Sequence, residues 1–250
     1  MKIDNEVLCV LSNAGTNGNA LVIHEQLDRK LYEKANKVLD AAGGKWNRKA
    51  RAHLFDGDAA AAIEQVLLSG EITRPQNFDY FPTPEPIVAH LLELARIETG
   101  MTALEPSAGQ GAIAREAAAI TRVDCVELQI KNVEILHAQN FSRVILHEDF
   151  LQLTPRPVYD RVVMNPPFGK QVDILPVLHA LAFLKPGGLL VSVMSVGITF
   201  RTNKPTADFR ALLERRGGTI EDCPDESFKS VGTRVRTVIV TIPAGMRQYQ

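Results

Sequence analysis

Asn165, Pro166, Pro167 and Phe168 follow an apolar, β-branched run in "DRVVMNPPFGK". The Asn side chain offers a carbonyl oxygen, and Pro166 keeps its backbone carbonyl while lacking an N–H. Two proline rings fix the local backbone, so both acceptors can be aimed at one point beside the flat Phe168 ring. Two oxygens converging on a planar NH2 group hold both hydrogens and favour a pyramidal nitrogen, whose lone pair can attack an electrophile. Such electrostatics are preorganised and need no metal. A Pro-Pro pair could simply end a strand, but that task requires neither the amide nor the aromatic ring.

Acidic residues stand at the ends of three other strand-like segments. "LEPSAGQGAIA" carries Glu105, then Gly109 and Gly111, whose small size lets backbone approach a ligand just before a helix N-terminus. A Gly-x-Gly turn alone serves equally well as a plain strand-to-helix connection. Glu105 shifts the balance: a carboxylate at the mouth of that loop repels a pyrophosphate and suits a cationic amine or sulfonium. Glu127 closes "RVDCVEL", where an acid can take both ribose hydroxyls of a nucleoside. Asp149 and Phe150 close "RVILHEDF", offering an acceptor for an adenine amino group and a flat face for its ring. Each acid alone could be an ordinary solvated strand end; together they outline a site for an adenosine joined to an amino acid.

The elements that must position these residues alternate. "TALEP", "RVDCVEL", "RVILHEDF", "DRVVMNPPF", "GGLLVSVMS" and "TRVRTVIVTI" are predicted strands, with helical segments between them. Thr83 is expected to cap the helix preceding the first of these, with Pro84 in its first turn and Ile87, Leu91 and Leu94 on one face. The alternation predicts a mostly parallel sheet covered on both faces, with its ligand beyond the carboxyl ends of the strands. Residues 1–75 are expected to form a smaller α/β unit, and 76–250 the domain that carries the candidate chemistry. In the smaller unit "NALVI" and "ARAHLF" are predicted strands, "EQLDRKLYEKANKVLDAA" a helix ending at Gly43–Gly44, and Asp56 or Asp58 the cap of "AAAAIEQVLLSG".

A net charge of −1 over 250 residues does not advertise a polyanion partner, so nucleic-acid contact must come from local basic patches. Cys9, Cys125 and Cys223 are widely spaced, which points to a reducing compartment and away from structural zinc. Without a spanning apolar run or a signal-peptide core, the expected location is the cytoplasm and no membrane partner is expected. One patch is conspicuous: "AAGGKWNRKARAHLF" sets Lys45, Arg48, Lys49 and Arg51 around Trp46, with no acid between Asp40 and Asp56. Basic groups suit phosphates and the Trp a base; a solvated turn with a packed Trp fits the same residues. Arg201 and Lys204, in "TFRTNKPTADFR", are further candidates for a polynucleotide backbone, and Arg234 and Arg236 lesser ones.

From Phe78 to Ile242 the chain resembles the class I S-adenosylmethionine-dependent methyltransferases. Within them it is most similar to the adenine-N6 amino-methyltransferases in the motif order of the gamma group. The blocks are "FPTPEPI", "LEPSAGQGAI", the acid Glu127, "EDF", "NPPF", "LKPGGLLVSV" and "FKSVGTRVRTVIVTI". The resemblance implies a Rossmann-like sheet of seven strands with the last antiparallel, and S-adenosylmethionine as cofactor. It implies that Phe81, Thr83 and Pro84 border the methionine end of the cofactor with Glu105, Ser107, Gly109 and Gly111. Glu127 and Leu128, Asp149 and Phe150 complete the cofactor site with Asn165. Asn165, Pro166, Pro167 and Phe168 become the catalytic corner, with Phe228 against the target-base pocket and no metal. The implied reaction is methylation of adenine N6 in DNA, with the base extruded at a cost of a few kcal/mol and stacked for a return of about 1–3 kcal/mol.

Sequence-reading members of that group carry a target-recognition domain after the catalytic sheet, and here only "PAGMRQYQ" follows the last strand. The expectation is therefore a short or relaxed recognition sequence, with DNA preferred over RNA as partner. Three other readings remain open. Adenine in structured RNA uses similar corners, a protein glutamine amide is also a planar amine, and a nucleic-acid-binding protein could retain a vestigial catalytic fold.

Overall fold

The computed structural model describes residues 3–70, 82–167, 173–223 and 236–245. They form two sheets. The smaller is antiparallel, in the order β1-β2-β4-β3, from β1 (Gly15–Asn17), β2 (Ala20–Val22), β3 (Lys45–Asn47) and β4 (Ala52–Leu54). Three helices pack with it: α1 (Asn5–Ser12), α2 (Arg29–Ala41) and α3 (Ala59–Ser69). Asp28 starts α2 by accepting from the Lys30 and Leu31 N–H groups, and Ala35, Val38 and Leu39 fall on its inward stripe. Gly43 ends the segment at φ 98°, which a side chain would oppose. Of the two acids expected to cap α3, Asp58 does so, accepting from the Ala61 N–H.

The larger sheet has seven strands in the order β10-β11-β9-β8-β5-β6-β7. Its members are β5 (Thr102–Pro106), β6 (Arg122–Glu127), β7 (Val144–His147), β8 (Tyr159–Met164), β9 (Leu184–Ser195), β10 (Thr219–Asp222) and β11 (Thr237–Pro243). Strands β5 to β9 pair in parallel, while the last strand, β11, is antiparallel to both β9 and β10. Helices α4 (Glu85–Ala95), α5 (Ala112–Ala118), α6 (Ile130–Gln139), α7 (Ile174–Ala180), α8 (Gly197–Phe200) and α9 (Lys204–Arg216) connect the strands. Val162, Met164, Leu190, Val191, Val193 and Ile239 are buried, so the middle strands read as nearly continuous apolar runs.

The topology makes a crevice. β5 lies between β6 and β8, and the chain runs β5, β6, β7 to one side before crossing to β8 on the other. That reversal opens the sheet beyond the carboxyl ends of β5 and β8, where ligands bind in open α/β sheets. Glu105 and Asn165 stand at those two ends.

Five elements were not legible in the sequence: β1, β3, β10, α1 and the single-turn α8. "GTN" and "KWN" are three-residue strands without apolar alternation, and β10 ("TIED") is an edge strand with exposed residues. The helix α1 is legible only in hindsight, from Val7, Leu8, Val10 and Leu11, all buried.

Candidate active site

A cleft of about 270 Å³ opens beyond the ends of β5, β6 and β8. Its charged walls are all acidic: Glu105, Glu127, Glu148 and Asp149 line it, and no Lys, Arg or His does among the described residues. Such a wall favours a cation and disfavours phosphates, because like charges in a partly dry cleft interact strongly.

Glu105, 4% exposed, accepts a 2.6 Å hydrogen bond from the Ala114 N–H on α5 through Oε2. Burial pushes its carboxyl well above the ordinary range, the Ala114 bond works against that, and the neighbouring Glu127 charge adds to it. A positive group entering the cleft would favour its ionised form. Glu127 is buried and multiply bound: Oε2 accepts from the Gly109 N–H at 2.7 Å, and Oε1 from the Gln129 N–H at 2.7 Å and Asn132 Nδ2 at 3.4 Å. It thus ties the Gly109 loop to the β6–α6 turn and also faces the cleft. Ser107 (φ 59°) and Gly109 (φ 55°) take left-handed conformations in that loop and line the cleft with Leu128.

Asn165 joins the cleft to the segment before α4. Its Nδ2 donates to Thr83 Oγ1 at 3.0 Å, which fixes the orientation of the amide, and its Oδ1 is buried without a partner. An unpaired buried acceptor is costly, so its persistence marks a site that a donor from outside could satisfy. Pro166 is buried and Pro167 exposed; both line the cleft. Asp149 Oδ1 accepts from the Leu151 N–H at 3.0 Å, starting a short 3-10 turn. Phe150 reaches the cleft wall from the core, where its ring packs against His179 and Phe183.

Several expectations need correction. Thr83 does not cap α4: Pro84 occupies the cap position with no side-chain hydrogen bond, and the Thr83 hydroxyl is engaged with Asn165. Pro84 is not among the lining residues, whereas Pro82 is. Gly111 does not line the cleft either. A Cβ there would lie 2.6 Å from Phe141 and 2.7 Å from Leu136, and its φ is 80°, so packing and backbone conformation require the glycine. Arg201 is 3% exposed, with Nη2 at 3.2 Å from both Glu64 oxygens; burial in an ion pair removes it from any phosphate contact. Lys204 is exposed, 3.6 Å from Asp208. Lys45, Trp46, Arg48 and Lys49, expected to meet substrate and not the cofactor, are exposed on the small sheet and do not line the cleft. Phe81, Phe168, Phe228 and Arg234 lie outside the described residues.

Sequence reasoning missed Asn132, whose signal was a polar residue on the inward face of α6. The Asp173 carboxylate is buried, accepts from the Ser195 N–H at 2.8 Å and leaves Oδ1 unpaired. Burial pushes its pKa up, against the Ser195 hydrogen bonds. Among the described residues no three His, Cys, Asp or Glu side chains converge as a metal site would, and no helix is long and apolar enough to cross a membrane.

No protein-family model and no curated protein matches the chain. Solved structures do. The methyltransferase subunit of a type I restriction-modification system from Streptococcus thermophilus superposes with a TM-score of 0.58 at 18% identity, over 75% of this chain and 48% of that one. An assigned RNA methyltransferase from Pyrococcus horikoshii gives 0.50 at 21% identity, over 71% and 91%. A dimethyladenosine transferase from Plasmodium falciparum gives 0.50 at 14%, over 66% and 63%. The chain has the Rossmann-like methyltransferase fold. In this methyltransferase fold the described cleft lies at the carboxyl edge of the parallel strands, and the chain spans about half the length of the type I subunit it matches.

Proposed function

We propose that the protein transfers a methyl group from S-adenosylmethionine to the N6 amino group of adenine in DNA. The observation that carries this reading is Asn165, a cleft residue whose amide is oriented by Thr83 and whose buried Oδ1 lacks a hydrogen-bond donor.

The cleft residues fit the cofactor. The acidic wall suits a sulfonium and an α-ammonium, with Glu105 facing the amino-acid end. Glu127 is assigned to the ribose hydroxyls, and Asp149 with Phe150 to the adenine. S-adenosylmethionine, when bound, supplies an electrophilic methyl group. The protein's own part is to hold the attacking nitrogen. Asn165 Oδ1 and the Pro166 carbonyl accept its two hydrogens, draw its lone pair out of conjugation, and so raise its nucleophilicity. Donors and acceptors fixed before the reaction need not reorganise as charge develops, which makes this term large. Phe168 is assigned to stack on the extruded base. The proton lost from the methylated nitrogen passes to water.

The division into a catalytic part from residue 76 and an accessory part before it belongs to the same reading, as does a short or relaxed recognition sequence. The test is to digest DNA from cells expressing the protein and analyse its nucleosides. N6-methyldeoxyadenosine is expected, and is absent with Asn165→Ala. Matched deoxy- and ribo-oligonucleotides treated with purified protein separate DNA from RNA; methylation of the ribo strand alone would move the substrate to RNA.

A further inference from the structure

The small sheet is anchored at the same end of the large sheet as the cleft. β8 and β9 run in parallel, so Asn165 and Ser195 leave the sheet at one edge, and Thr237 lies opposite Ser195. Just beyond Ser195, Arg201 is buried against Glu64 of α3, and Thr202 Oγ1 donates to Asn13 Oδ1 at 3.0 Å. The Arg236 N–H donates to the Leu68 carbonyl at 2.8 Å, and Phe200 packs against the apolar clusters of both sheets.

On this anchored unit, β3 is an edge strand paired only with β4. Trp46, in the middle of β3, is 49% exposed, whereas an indole ordinarily has most of its surface covered. It is braced from the protein side by the buried His53 ring, centroids 5.1 Å apart. The turn that follows is held by Asn47 Oδ1, which accepts from the Lys49 and Ala50 N–H groups at 3.0 Å each. Lys45, Arg48, Lys49 and Arg51 are all exposed, and none forms an ion pair among the described residues. A braced, half-exposed aromatic among free cations is complementary to a chain that offers both phosphates and open base faces. A duplex offers the phosphates but hides its base faces, so the indole would gain nothing from it.

We propose that the β3–β4 hairpin is a docking surface for single-stranded DNA, with Trp46 stacked on a base and Lys45, Arg48, Lys49 and Arg51 on the phosphates. The inference rests on the nucleic-acid reading of the cleft and supplies the strand-holding surface that the cleft itself, walled by acids, lacks.

Trp46 is the chain's single tryptophan, so tryptophan emission, excited where tyrosine does not absorb, reports on this hairpin alone. Wild-type protein titrated at low salt with an oligothymidylate of about a dozen residues, without methyl donor, is expected to show saturable quenching. The apparent Kd should rise with salt at a log–log slope of about 0.7 per phosphate engaged. By anisotropy of a labelled strand, Trp46→Ala should bind about 5- to 100-fold more weakly, with Trp46→Phe retaining most of the affinity. No quenching, quenching as strong by a duplex of equal length, or tighter binding of the ribo-oligonucleotide overturns the proposal. Methylation without quenching sinks the hairpin alone; quenching without methylation sinks the cleft reading alone.

Discussion

Glu105 and Glu127 at the cleft are buried and already bonded, Glu127 to three donors and Glu105 to one, and the Asn165 amide is oriented by Thr83. The four cations of the β3–β4 hairpin are exposed and pair with no acid among the described residues. The first arrangement suits chemistry, where an ångström of misplacement costs rate. The second suits capture, where several loosely placed charges share the work and salt screens them. Changes at the cleft should therefore act on turnover, and changes at the hairpin on substrate affinity.

The largest effect is expected at Asn165. Asn165→Ala removes an acceptor used on the attacking nitrogen and should lower kcat by about 10²–10³-fold or more, by analogy with loss of one preorganised polar contact. Equilibrium dialysis with the methyl donor should show binding within about twofold of wild type, a margin of about 0.4 kcal/mol. Loss of donor binding would erase the contrast between holding the donor and activating the amine.

The buried Arg201–Glu64 pair comes next, because it joins the two regions. Arg201→Met removes the buried guanidinium from its pair with Glu64, and breaking a buried pair costs about 3–5 kcal/mol. Urea denaturation should show that loss in the single variant and recovery of much of it on adding Glu64→Gln. An unchanged midpoint in Arg201→Met would mean that the small sheet is not fixed through this contact.

Glu105 sharpens the comparison through pH. Its carboxyl is raised in the folded protein, so it stabilises the fold fully below the unfolded value and loses that contribution as pH rises through the folded value. Glu105→Gln should therefore melt higher than wild type at neutral and alkaline pH, with the difference closing towards acid. The same variant should bind the cationic donor about 10- to 100-fold more weakly, the worth of a charged hydrogen bond of 1.5–3 kcal/mol. Its residual affinity should lose the rise with pH that wild type shows. Calorimetric titration across pH checks both signs. The smallest effect is expected at Lys204, whose exposed partner Asp208 is worth about 0–1 kcal/mol; Lys204→Ala should leave denaturation and turnover nearly unchanged.

Legibility in the sequence followed the same divide. The parallel sheet could be read because its strands are apolar enough to stand out, and the acids and Asn165 because each ends such a strand. Spacing alone points Thr83 to a helix cap, because it shows only what a hydroxyl could do locally, and its real partner lies 82 positions away. Gly109 and Gly111 looked equivalent, yet Gly109 faces the cleft while Gly111 avoids Phe141 and Leu136, a packing constraint invisible before the helices are placed. Arg201 reads as a candidate for a polynucleotide backbone because nothing local reveals that Glu64, 137 residues earlier, meets it in a buried interface. Local chemistry was legible; partners distant in sequence were not.

The most direct test incubates purified protein with methyl-labelled S-adenosylmethionine and an adenine-containing single-stranded deoxyoligonucleotide, then identifies the labelled nucleoside by mass. Label on N6 of deoxyadenosine with the wild type, and none with a folded, donor-binding Asn165→Ala, is the predicted result. Label on another base or on protein, or undiminished labelling by the variant, would contradict it.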